Sequence, residues 1–216
     1  MPKIIILTSG LSCTGKTTWR NALVAELTKN SISVITANAD ELTIRYCQEK
    51  NRNESTQLSY SDMFSPLHQA GCVQATQKQF AEIIQQSNDD VIILDRTHLS
   101  SAFRQELIQQ FDEENVVVVY FNIADEAAWR ARLSERNINA AMQPDPAQRV
   151  IIRDDVIAKQ KERLQVPSIS EGMSKLVQIC CCSDASWDDQ LKTVVSELVE
   201  HIQLNLDNQQ QVRRMK

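Results

Sequence analysis

The sequence predicts an α/β fold: a five-stranded parallel sheet with helices on both faces and a small lid. Three observations predict it. Strand-like and helix-like segments alternate along nearly all of the 216 residues, the order in which helical crossovers join parallel strands. Residues 10–18 read GLSCTGKTT and fit the pattern G-x-x-x-x-G-K-[ST], with Gly10, Gly15, Lys16 and Thr17 at the fixed places. That stretch lies between an apolar run, KIIILTS over 3–9, and a segment in which Trp19, Leu23 and Leu27 recur at helical spacing. The chain has only four glycines, and two of them stand in this loop.

The elements follow in order. After the first strand, the loop and the first helix, SVITAN (33–38) predicts a second strand. A helix is expected from Asp40 to about Lys50, then a polar loop without periodicity over 51–61. Ser65 and Pro66 predict a helix start, serine as N-cap and proline at the first helical position, for a helix through Val73, Phe80 and Ile84. DVIILD (90–95) is a third strand, followed by a helix over about 101–111. NVVVVYFNI (115–123) is the most plainly buried strand, and Asp125 is placed to cap the helix AAWRARLSERN. Residues 138–148 carry two prolines and predict an irregular insert, with helix resuming over 150–164. KLVQICCC (175–182) predicts the fifth strand, and Ser186 with Asp189 predicts a capping box for a last helix over 191–204. These elements make one domain over 1–206, its lid at about 137–153, and a frayed polar and basic tail over 207–216.

Each residue type in the loop has physical work to do. The glycines let the backbone turn tightly and aim the N–H groups of Leu11, Ser12, Cys13, Thr14, Thr17 and Thr18 at phosphate oxygens. Lys16 supplies a point charge for β- and γ-phosphates, and the Thr17 hydroxyl can ligate magnesium. The helix that begins at Lys16 directs its positive dipole end at the same anion. ATP and Mg2+ are therefore the expected cofactors, on a P-loop NTPase/kinase fold. Cys13 is read either as a thiol of lowered pKa or as a small filler.

Composition narrows the class. A formal charge of −5 and a pI near 5.3 exclude a generally basic nucleic-acid coat and confine any polyanion binding to a local groove. The six cysteines show no C-x-x-C pair and no histidine at zinc spacing, so reduced thiols in a cytoplasmic protein are expected. No apolar run is long enough for a signal peptide or a membrane span.

In parallel sheets, ligands bind beyond the carboxyl ends of the strands. Three strands place something useful there: the loop after the first, Asp40 after the second and Asp95 at the end of the third. Asp95 follows four apolar residues, as does the carboxylate that helps hold magnesium beside a phosphate loop, although such an aspartate can also cap a turn. Asp40 is read either as a general base or as the N-cap of the helix behind it.

Over residues 3–181 the chain resembles the 5′-polynucleotide kinases, both the phage type and the kinase domain of the animal end-processing enzyme. GLSCTGKTTWR looks like their phosphate loop, ANADEL like the segment with their general-base aspartate, and VIILDRTHLSSAFR like their third strand and following turn. AWRARLSERN resembles the arginine-bearing helix that enters their lid, and QVPSISEGMSKLV the approach to their last strand. The resemblance implies Asp40 as base, Asp95 beside the metal, and Lys16 and Arg136 as catalytic cations. It departs at two places. A second lid arginine of the phage pattern is Ala140 here, leaving Arg132, Arg149 or Arg153 as substitutes, and an acceptor-gripping arginine is Thr43, with Arg45 nearest.

Arg132 and Arg136 lie four apart on one helix face and are expected at the phosphates, or else paired with neighbours such as Asp125 and Glu135. Arg45, Arg96, Arg104 and His98 are the candidates for acceptor binding, with a turn-stabilising role as the other reading of His98. Three functional classes follow. The first is an ATP-dependent kinase for the 5′-hydroxyl of a nucleic acid. The second is a kinase for a small hydroxyl compound or sugar nucleotide, of the toxin or antibiotic-modifying kind. The third is a non-catalytic nucleotide-binding regulatory module.

Overall fold

Five strands form a single parallel sheet: β1 (Ile4–Gly10), β2 (Val34–Asn38), β3 (Val91–Asp95), β4 (Val116–Ile123) and β5 (Lys175–Cys181). Their order is β2-β3-β1-β4-β5, so the chain reverses its direction of winding beside β1. The computed structural model describes residues 3–55, 57–111, 115–181 and 186–214. Among the described residues seven helices connect and cover the strands: α1 (Lys16–Lys29), α2 (Ala39–Glu54), α3 (Gln69–Gln86), α4 (Ser101–Ile108), α5 (Glu126–Ala141), α6 (Asp154–Arg163) and α7 (Ser186–Arg214). The predicted fold class is the observed one.

The strands are apolar on both sides because both sides are covered. Alternate residues divide between two cores. Ile4, Ile6, Val117, Val119 and Phe121 meet Trp19, Leu23 and Leu27 of α1 and Leu198 and Ile202 of α7. Ile5, Leu7, Ile92, Leu94 and Val118 meet Leu107 and Ile108 of α4, with Phe80 and Ile84 of α3 packed against them. Trp19 meets Phe121 edge-on, with ring centroids 5.7 Å apart. No helix among the described residues is long and apolar enough to cross a membrane.

Several boundaries differ from expectation, each for a local reason. Helix α2 continues to Glu54, into the stretch read as loop, where Lys50 pairs with Glu54 one turn on. Ser65 does not start α3. Its hydroxyl donates to Asp62 O (2.7 Å) and closes a short helical turn over Tyr60–Phe64, so α3 begins at Gln69. Asp125 caps α5 as predicted, accepting from Ala128 N at 2.9 Å. The insert is shifted, because α5 runs to Ala141 and α6 starts only at Asp154. Asn137 explains the late start: its side-chain amide takes both the N–H (2.9 Å) and the C=O (2.8 Å) of Ile152, denying them to a helix. Helix α7 extends through the predicted tail to Arg214, carried past Asp207 by pairs such as Gln203 with Asp207 (3.1 Å). Cys182 and the Ser186 side chain, hence the expected capping box, lie outside the described residues.

The segment between α5 and α6, where the sequence predicts a lid, is docked. Ala147 is fully buried with Cys47, Met63 and Cys72, and Gln48 of α2 donates to Asp145 at 2.8 Å. The segment thus spans from α5 across to α2.

Candidate active site

The phosphate loop is held from several directions. Gly10 (φ 136°) and Gly15 (φ 92°) adopt conformations that L side chains rarely adopt. A methyl group on Gly10 would stand 2.7 Å from Phe121 O, and one on Gly15 would stand 2.7 Å from the ring of Trp187. Leu11 is buried against Trp129, Leu133, Ile152 and Ile157, so its side chain anchors the loop in the protein. Ser12 is clasped by Gln160, which accepts from its N–H and donates to its hydroxyl, both at 3.0 Å. Trp129 donates its indole N–H to Ser12 O at 2.8 Å. Cys13 also has positive φ (62°) and receives a long hydrogen bond from Arg136 (3.4 Å). The Thr14 hydroxyl closes on Leu11 O (2.9 Å), so Thr14 stabilises the turn through its side chain.

Lys16 lies inside this loop. Its ammonium donates to Gly10 O (3.1 Å), Leu11 O (2.5 Å) and Thr14 Oγ1 (3.3 Å). Burial draws its pKa down to about 8, against the opposing charges of Asp95 and Asp40. Thr17 and Thr18 are exposed at the rim of the cleft. The cleft as a whole has a volume of about 1840 Å³ and receives the loop, Asp40, Asp95, Arg96, Arg132 and Arg136 on its walls.

Asp95 sits at the end of β3, 4% exposed, and is fully engaged. It accepts from Thr8 (3.2 Å), Asn38 (2.7 Å) and Arg20 (2.9 Å). Arg20 also reaches Glu41 at 3.2 Å. This arginine lies four residues beyond Lys16, on the same face of α1, a spacing that sequence reasoning passed over. Magnesium fits the exposed hydroxyl of Thr17. Direct ligation by Asp95 fits poorly, because a guanidinium already holds its carboxylate.

Asp40 is not the helix cap. Asn38 fills that role, accepting from Glu41 N at 2.9 Å. The Asp40 carboxylate therefore faces the cleft, half exposed, where Tyr60 donates to Oδ1 (2.7 Å) and Arg136 stands 3.7 Å from Oδ2. Burial and the neighbouring Asp40 charge push the Tyr60 phenol up, so it stays a proton donor to the carboxylate. Tyr60 was invisible in the sequence, since it lies in a stretch without periodicity.

The arginines divide. Arg136 pairs with Asp40 and Cys13, not with Asp125 or Glu135. Arg132 donates to Cys181 Sγ (2.6 Å) and lines the cleft. Arg153 also lines it while paired with Asp155 (3.0 Å), whereas Arg149 turns to Gln143 O. Ala140, where the phage pattern has arginine, borders a second cavity of about 720 Å³ behind Arg136. Arg45 is exposed and off the cleft wall, which corrects its expected role. Five residues beyond Asp40, a helical side chain has turned by about 140°.

Two further candidates are structural. Arg104 is fully buried, forms paired bonds to Glu171 (2.8 and 2.7 Å) and donates to His98 O and Leu99 O. His98 is 2% exposed with φ 36°, bonds Thr8 O at 2.6 Å and stacks on Phe103. Burial brings its pKa down to about 3, so it is neutral. Arg96 alone of this group faces the cleft, with its guanidinium 5.5 Å above the Phe103 ring.

A family model described as an AAA domain matches residues 5–167. The chain belongs to this family. No curated protein matches the sequence. The AAA domain is similar in fold to the Kti12 of Chaetomium thermophilum in complex with ADP-AlF3 (TM-score 0.61, 15% identity, covering 92% of this chain and 98% of that one). It is similar to a gluconokinase from Sinorhizobium meliloti 1021 (TM-score 0.52, 16% identity, 94% and 97%). It is also similar to a putative kinase from Chloroflexus aurantiacus (TM-score 0.53, 15% identity, 94% and 97%). At these identities the likeness establishes a shared fold for the AAA domain.

Proposed function

We propose that this AAA domain transfers the γ-phosphoryl group of ATP to a hydroxyl acceptor, with Asp40 as general base. The observation that carries the reading is the Asp40 carboxylate. It is relieved of capping by Asn38 and stands in the same cleft as Lys16, within reach of Arg136. Support comes from similar folds whose names describe a gluconokinase and a putative kinase, and from one solved with ADP-AlF3.

The residues divide the work as follows. The loop amides and Lys16 bind the phosphates, and Lys16 exchanges its loop carbonyls for phosphate oxygens. The acceptor oxygen bonds to the γ-phosphorus as the bond to the β-phosphate oxygen breaks, and the hydroxyl proton passes to Asp40. Arg136 and Arg132 neutralise charge that grows on the leaving oxygen. Bound magnesium, held by Thr17 and phosphate oxygens, would add positive charge at the phosphates.

The resemblance to 5′-polynucleotide kinases makes a nucleic-acid 5′-hydroxyl one candidate acceptor. The geometry favours the second reading, a small molecule: Arg104 is closed off by Glu171, Arg45 lies off the cleft, and Arg96 is left to meet an acceptor anion. The test is label transfer from γ-labelled ATP to 5′-hydroxyl oligomers and to small alcohols, in wild type and Asp40→Asn. Asparagine keeps the size but cannot take the proton, so transfer should fall about 10²–10⁴-fold with ATP affinity retained. Transfer near the wild-type rate in Asp40→Asn would remove the base from the mechanism.

A further inference from the structure

Beyond Asp40 the cleft continues as a groove between α3 and α4. Apolar side chains line it, Val73, Phe80 and Ile84 from α3 and Phe103 and Leu107 from α4, with Gln77, Gln85 and Gln110 among them. Among the described residues one cation stands in it, Arg96, exposed over Phe103. The other basic side chains that line the cleft already hold protein acceptors. Lys16 has its loop carbonyls, Arg132 has Cys181, Arg136 has Asp40, and Arg153 and Lys159 share Asp155. The Arg96 guanidinium makes neither a hydrogen bond nor an ion pair to a carboxylate or carbonyl among the described residues; it lies on the ring face and feels the Asp40 charge only at longer range. A planar cation lying on an aromatic ring keeps its edge donors free for an anion.

These walls discriminate among acceptors. A nucleic-acid strand would bring successive phosphates against Phe103, Leu107 and Val73, where one arginine cannot neutralise them. A sugar acid would meet Arg96 but would set hydroxyl-bearing carbons against Phe80, Phe103 and Leu107, leaving these side chains without an apolar partner. A molecule with a single negative charge and an apolar body satisfies both the cation and the walls.

We propose that the acceptor is a small amphiphilic alcohol with one anionic group: its anion on Arg96, its apolar body between Phe103 and Phe80, its hydroxyl at Asp40. The proposal rests on the phosphoryl-transfer reading and specifies its substrate class. The chemistry balances as before: the alcohol oxygen gains the phosphoryl group, ADP leaves, and the proton goes to Asp40. The hydroxyl, rather than the anion, is the attacking group because it carries the proton that Asp40 can take.

The experiment measures binding and turnover side by side, so that the substrate class and the transfer reading can fail separately. Calorimetric binding and ADP release are followed with 3-phenyllactate, lactate, 2-phenylethanol, gluconate and a short 5′-hydroxyl oligonucleotide, in the presence of ATP or a non-hydrolysable analogue. The wild type should bind 3-phenyllactate about tenfold or more tightly than lactate or 2-phenylethanol. Arg96→Gln should weaken that binding about 10–100-fold, the range for a charge-assisted hydrogen bond, and leave 2-phenylethanol unchanged. Val73→Glu, which puts a negative charge on the half-exposed wall, should weaken 3-phenyllactate as well and gives a second variant at a surface position. Tighter binding of gluconate or the oligonucleotide, or binding indifferent to Arg96, overturns the proposal. So does absence of 3-phenyllactate binding to protein that still binds the ATP analogue. Arg96-dependent binding without ADP release would uphold the subsite and sink the transfer reading instead.

Discussion

The two halves of the cleft are built on opposite plans. On the phosphate side, backbone and cations crowd together: a loop clasped by Gln160 and Trp129, a lysine inside it, and Arg132 and Arg136 overhead. On the far side of Asp40 the walls carry Val73, Phe80, Phe103 and Leu107, with glutamines between them, and the cation is Arg96. The first half suits an anion that many proteins share, and its parts are correspondingly generic. The second half is where this chain's own chemistry lies. Asp40 stands at the border, tied to the phosphate side by Arg136 and to the acceptor side by Tyr60.

Lys16→Ala should break the phosphate half most severely. Removing the buried ammonium is expected to lower turnover about 10²–10³-fold and to weaken ATP binding, with a thermal melt showing the fold intact. Normal turnover in the folded variant would contradict the division. A pH series on the wild type sharpens the point. With its pKa near 8, Lys16 is charged below that value and neutral above it, so ATP affinity should fall as pH rises from 8 to 9. Binding there should take up a proton, which calorimetry in buffers of different ionisation enthalpy detects.

Arg136→Ala tests whether the border belongs to the transition state. A fall in kcat of about 10–100-fold, larger than any loss of ATP affinity, is expected if its charge meets the leaving oxygen. Equal losses would make it a ground-state clamp. Tyr60→Phe is a milder cut on the acceptor side, removing one hydrogen bond to Asp40, and should lower kcat about 2–10-fold. An unchanged kcat would leave Tyr60 as packing beneath the groove.

The smallest effect concerns His98, below both halves. Folded, it is neutral down to about pH 3, whereas unfolded it gains a proton below about 6.5. The unfolded state therefore binds more protons between these values, and the native state loses stability as pH falls from 6.5, by at most about 1.4 kcal/mol per pH unit. His98→Asn, which tolerates the positive φ, should flatten that slope in denaturant titrations. Identical slopes in the two proteins would argue against the buried neutral imidazole.

What could be read in advance follows from where the information resides. The loop was legible because phosphate geometry fixes Gly10, Gly15, Lys16 and Thr17 at set spacings within one segment. Strand order at the carboxyl edge also pointed to the cleft wall on which Asp40 and Asp95 stand. Pairings across the fold were not legible: Tyr60 with Asp40, Arg20 with Asp95, and Arg104 with Glu171 join elements that only the folded sheet brings together. Arg45 misled because proximity in sequence is not proximity around a helix. The start of α6 was misplaced because a side chain, Asn137, claims backbone groups that a periodicity argument assigns to the helix.

The tryptophans have a consequence of a different kind. The chain has three. Trp19 follows the loop on α1, Trp129 donates to Ser12 O, and Trp187 lies over Gly15. Near-ultraviolet dichroism and intrinsic emission therefore report chiefly on one small neighbourhood. A rearrangement of the loop at Ser12 or Gly15 is expected to change that signal through Trp129 or Trp187, with no label attached.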